Sequence, residues 1–95
     1  MSFEEIRLRI RHLVRAHKYY LTLHAEDEMD DDEVSLFDLE RVLRDGELTT
    51  RQRDEKSGEW KYLMNGLNFG LAIEVVVKIT LEQVVVITVY SLTAK

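Results

Sequence analysis

From Ile73 to Ile79 the apolar residues fall on alternate positions. Ile73, Val75, Val77 and Ile79 share one side and Glu74, Val76 and Lys78 the other, the two-residue period of a strand with one buried face. From Val84 to Tyr90 both sides are apolar, with Val84, Val86 and Tyr90 on one and Val85, Ile87 and Val89 on the other. That pattern predicts a central strand covered on both faces. Too little chain separates the two segments for a crossover, so the pair, spanning Leu71 to Thr93, is expected to be antiparallel. The link Leu81-Glu82-Gln83 has no Gly or Asn and predicts a turn longer than two residues.

Upstream the period changes. Phe3, Ile6, Ile10, Leu13, Val14 and His17 recur at helical intervals behind Ser2 and Glu5, which have capping-box spacing, so a helix is predicted from Phe3 to His17. Lys18 to Leu23 reads as a short edge strand or an extended connector. His24 to Glu33 suits a short helix whose acidic first turn is favourable and whose acidic last turn opposes the helix dipole, which predicts fraying there. A further helix of about ten residues begins at Ser35, with Asp38 at the third position, Leu36, Leu39, Val42 and Leu43 as its apolar stripe, and Gly46 as a left-handed terminator. Glu47 to Arg53 and the segment through Trp60, Tyr62 and Met64 form a hairpin about Lys56-Ser57-Gly58. A second turn is predicted at Leu67-Asn68-Phe69 between Gly66 and Gly70. Helices first and four meandering strands afterwards define an α+β layout with the helices on one face of a four-stranded antiparallel sheet.

With 95 residues, 45% of them hydrophobic, and no proline, the chain is expected to form one domain over residues 1–95 with a single core. The absence of cysteine excludes disulfides and thiolate metal sites. No apolar run exceeds strand length, and no signal-type segment opens the chain, which predicts a cytoplasmic protein without membrane association. Charge is unevenly placed. Residues 1–23 hold five basic and two acidic groups, residues 24–48 two basic and eleven acidic, and the remainder six basic and five acidic, for a net charge of -5. An acidic block of this size disfavours RNA or DNA as a general partner and favours a basic protein. Arg7, Arg11, Arg15 and Lys18 run along one flank of the first helix, either as a solvated face or as a phosphate-binding stripe.

Gly-rich phosphate loops, serine elbows and nucleophilic cysteines are missing from the chain. The candidates that stay are His24, with Glu28 one helical turn on, and Tyr90 near the end of the last strand, where a hydroxyl can act as a general acid or base. His24 and Glu28 suit either a hydrogen-bonded junction or two ligands of a divalent metal, with Asp27, Asp31 or Asp32 nearby. No cofactor is identified.

The runs LTLHAEDEM (Leu21 to Met29), VSLFDLERVLRDGE (Val34 to Glu47), VVVKI and VVVITVY resemble the small bacterial proteins of domain of unknown function family 4258. The resemblance covers about Ile6 to Tyr90. It implies a fold similar to the RelE-like and barnase-like ribonuclease toxins, and a site built on the family's histidine and arginines. His24, Ala25, Met29, Gly46, Glu47, Thr88 and Tyr90 match the family's pattern. Glu28 and Asp32 stand where the family tends to have arginine, and Glu74 where it tends to have histidine. Phosphoryl transfer requires cations around the transition state, so this substitution pattern implies weak or no ribonuclease activity. If the positions converge as in the family, His24, Glu28, Asp32 and Glu74 form a candidate metal set. The competing expectation is an acidic protein-binding module, antitoxin-like or immunity-like.

Overall fold

The structure, a computed structural model, describes residues 1–92. Thr93, the predicted end of the strand pair, lies outside the described residues. In chain order the elements are α1 (Phe3–Arg15), β1 (Tyr19–Leu21), α2 (Leu23–Asp32), α3 (Leu36–Asp45), β2 (Glu47–Arg53), β3 (Trp60–Asn68), β4 (Leu71–Ile79) and β5 (Val84–Ser91).

Both predicted caps are present. The Ser2 hydroxyl accepts from the Glu5 amide at 3.1 Å while the Glu5 carboxylate accepts from the Ser2 amide at 3.0 Å, and Ser35 with Asp38 repeats the arrangement at the start of α3. The amide of Ser2, followed by its hydroxyl, holds the Glu5 carboxyl below its ordinary value. Contrary to the fraying expected from its acids, α2 runs to Asp32 and closes on Glu33 in the left-handed region at φ 56°, with the Val34 amide bonded back to the Met29 carbonyl at 2.9 Å.

The sheet has five strands, not the four expected, and it is mixed. Its order is β1-β5-β4-β3-β2, and β1 lies parallel to β5 with Tyr19, Tyr20 and Leu21 opposite Val84, Val85 and Val86. Three residues whose partners lie some sixty positions away carry no local sign of parallel pairing. The other neighbours are antiparallel, and β5 is an interior strand as its two apolar sides required. The helices supply Ile6, Ile10, Ala25, Met29, Leu39 and Leu43 to a single core cluster with the inner face of the sheet.

Two local departures matter for the site. Val76 lies opposite Thr88 but Val77 lies opposite Val86, so Ile87 is an extra residue in a bulge. Beyond it the faces exchange. Val89 joins Val84 and Val86 in the core, and Tyr90, expected on their side, instead shares the outer face with Glu74 opposite it. Gly46 is extended at φ -73° and ψ 173°, not left-handed. Glycine is required there by close approach, since a Cβ would lie 2.5 Å from the Val42 carbonyl oxygen and 2.7 Å from that of Asn65. The second turn is also tighter than predicted, because Gly66, Leu67 and Asn68 continue β3 and only Phe69 (φ 52°) and Gly70 (φ 82°) turn the chain. Among the described residues no helix is long and apolar enough to cross a membrane.

Candidate functional site

The predicted site residues fall into two groups, at the edge and on the outer face of β5. Thr22 fixes the first group. Its amide donates to the Val86 carbonyl at 3.1 Å, its hydroxyl donates to the Ile87 carbonyl at 3.2 Å, and its side-chain oxygen caps α2 through the Ala25 amide at 3.1 Å. The helix therefore starts where β1 stops, and α2 takes over the edge of β5 that β1 leaves bare. Glu28 Oε1 accepts from the Val89 amide at 3.1 Å and Asp32 Oδ2 from the Ser91 amide at 2.8 Å.

The spacing explains the fit. Four residues of helix advance about 6 Å and two residues of strand about 6.8 Å, so carboxylates one helical turn apart meet alternate strand amides. Two acids thus stand in for a missing strand, satisfying donors that would otherwise be orphaned at a partly buried edge. Exposed His24 places Nε2 3.2 Å from the same Glu28 Oε1, so that oxygen faces both the imidazole and the Val89 amide.

The second group forms one row across three strands. Asn65, Glu74 and Tyr90 lie opposite one another on β3, β4 and β5. The Tyr90 hydroxyl donates to Glu74 Oε1, and the Asn65 amide, in the orientation that satisfies its neighbours, donates to Glu74 Oε2 at 2.9 Å. Of the four candidate ligands, then, His24 and Glu28 are brought together, Asp32 is held one turn further along by Ser91, and Glu74 is engaged by Tyr90 and Asn65. Among the described residues no three His, Cys, Asp or Glu side chains are grouped to hold a metal ion.

Half of the basic flank of α1 is engaged with backbone. Arg7 Nε donates to the Gly46 carbonyl at 3.2 Å and Arg11 Nε to the Arg44 carbonyl at 2.8 Å, at the C-terminal end of α3 where unpaired carbonyls and the helix dipole favour cations. Arg9, further round the helix, clamps the β4–β5 turn through the Leu81 carbonyl at 2.9 Å. Sequence reading also missed Tyr19, whose hydroxyl donates to Glu40 at 2.5 Å. Burial, followed by that bond, pushes the hydroxyl up to about 12. Nothing local marks this pair, because its members come from separate elements.

A mixed five-stranded sheet packed with three helices, of which α2 carries the His24–Glu28 pair along the edge of β5, defines an α+β domain with an acid-faced α2. By family, the chain belongs to the domain of unknown function DUF4258, whose model matches residues 21–91. No curated protein and no solved structure matches it significantly.

Proposed function

We propose that this chain is a diverged relative of the RelE-like and barnase-like ribonucleases, with weak or no nuclease chemistry, and that it works as a module binding a basic protein through the outer surface of α2. The observation that carries the reading is the state of the acids on that helix. Glu26, Asp27, Asp30 and Glu33 are exposed and, among the described residues, make no ion pair, and no lysine or arginine occurs between Lys18 and Arg41. Acids one helical turn apart, such as Glu26 and Asp30, are about 6 Å apart along the axis and so within the screening length of about 8 Å at physiological ionic strength, and the fields of successive neighbours add and steer a cationic partner. The nuclease side of the resemblance lacks support of this kind. Glu28 and Asp32, at the family's arginine positions, are committed to strand amides, and the Tyr90 hydroxyl faces a carboxylate where a phosphate-binding site needs cations.

Titration calorimetry with a lysine- and arginine-rich peptide tests the proposal beside an RNA cleavage assay. Binding that weakens with salt and disappears in a Glu26→Lys, Asp27→Lys, Asp30→Lys variant of unchanged melting temperature is expected, with no cleavage. RNA cleavage by the wild type that is lost in Tyr90→Phe would overturn it.

A further inference from the structure

Across the sheet from α2, the β2–β3 edge carries the opposite chemistry. Arg53 lies directly opposite Trp60, and Arg51 lies opposite Tyr62 on the same face. The Arg51 guanidinium carbon stands 5.1 Å from the centre of the Trp60 ring and 5.9 Å from that of Phe3, and the Arg53 carbon 5.7 Å from Trp60. Carbonyl oxygens position both arginines, Met1 at 3.3 Å for Arg51 and Gly58 at 3.2 Å for Arg53, and neither makes an ion pair among the described residues. Carboxylates nearby are engaged elsewhere: Glu59 with Lys78 at 3.0 Å, and Asp54 with Lys61 at 3.2 Å and with two turn amides. Glu55 is the exception. Two cations held without neutralisation against rings that are 40% (Phe3) and 42% (Trp60) exposed form a surface with both positive charge and π-faces. Beside Trp60 the surface opens into a depression of about 250 Å³ that Tyr62 and Lys78 also line.

The geometry points to a binding site for single-stranded nucleic acid, in which Arg51 and Arg53 meet phosphates and Trp60, with Phe3, offers a stacking platform to bases. Duplexes hide their base faces, whereas a single strand supplies anion and aromatic plane together. The acidic helix does not forbid it. α2 lies along β5, three strands from β2, a separation of about 14 Å that exceeds the screening length. This inference is independent of the α2 reading and involves no cleavage.

Trp60 is the only tryptophan, so its fluorescence reports on this site alone. Oligouridylate and oligodeoxythymidylate are titrated at low salt, with polyglutamate as a polyanion lacking bases. Saturable quenching by either oligonucleotide and not by polyglutamate is expected. By anisotropy of a labelled strand, Trp60→Ala should lose about 5- to 150-fold in affinity. Arg51→Gln with Arg53→Gln should flatten the slope of log affinity against log salt by about 1.4, the value for two phosphates on a single strand. The melting temperature of each variant checks that it folds. Absence of quenching by both oligonucleotides, or equal quenching by polyglutamate, would overturn the assignment.

Discussion

Replacing Glu28 or Asp32 by alanine removes the acceptor for one amide of β5. Each loss leaves a partly buried N–H without a partner, at a cost of about 1–3 kcal/mol. Against this, deleting one acid from a crowded acidic helix relieves like-charge repulsion worth about 0.2–0.5 kcal/mol per neighbouring pair. The net expectation is a destabilisation of about 1–2 kcal/mol for each variant, in a domain whose whole stability is on the order of 5–15 kcal/mol. For a chain of this size that lowers the melting temperature by about 4–8 °C per kcal/mol. Urea unfolding followed by circular dichroism measures it, with Glu26→Ala and Asp30→Ala as controls that remove charge but leave the Val89 and Ser91 acceptors in place and should stay within about 0.5 kcal/mol of wild type. Glu28→Gln keeps a carbonyl oxygen and should recover part of the loss. Amide exchange gives the local readout, since Val89 should lose protection in Glu28→Ala and Ser91 in Asp32→Ala. If Glu28→Ala is as mild as Glu26→Ala and exchange at Val89 does not change, the carboxylates are not serving as the strand's missing partner.

Other consequences follow from single residues. Glu33→Gly relieves a left-handed backbone and removes an acid from the C-terminal end of α2, so it should stabilise by about 1 kcal/mol in the same urea assay. Gly46→Ala should destabilise by about 1–3 kcal/mol despite an ordinary φ, because its methyl group meets two carbonyl oxygens; a neutral result would show that α3 can shift away from β3. Tyr19 binds its proton more tightly in the folded chain, so the stability it contributes is complete below its ordinary value of 10.0 and is lost as pH rises towards about 12. Tyr19→Phe should therefore shallow the alkaline fall in stability, measured by urea melts across that interval.

Capping pairs and alternation made most of the fold legible, because these signals are local. Ser2 with Glu5 and Ser35 with Asp38 announced α1 and α3, and the apolar sides of β4 and β5 announced a buried strand pair. What escaped was set by contacts distant in sequence. Lys18 to Leu23 was legible as an edge strand or a connector, but not its parallel place beside Val84–Val86, and the bulge at Ile87 moved Tyr90 to the outer face against a pattern that read as unbroken alternation. At the candidate site His24 and Glu28 were visible as a helical pair, but the Val89 and Ser91 amides that hold Glu28 and Asp32 were not, since backbone donors leave no mark in a sequence. Gly46 was recognised as necessary for the wrong reason: the space is closed by Val42 and Asn65, and the backbone angle is ordinary.

The central claim is that the outward acids of α2 are the working surface while Glu28 and Asp32 belong to the fold. Amide chemical-shift mapping during titration with a lysine- and arginine-rich peptide tests it most directly. The account predicts salt-sensitive shifts centred on Glu26, Asp27, Asp30 and Glu33, with Val89 and Ser91 unmoved. Shifts centred instead on Asn65, Glu74 and Tyr90 would contradict it, as would none on α2.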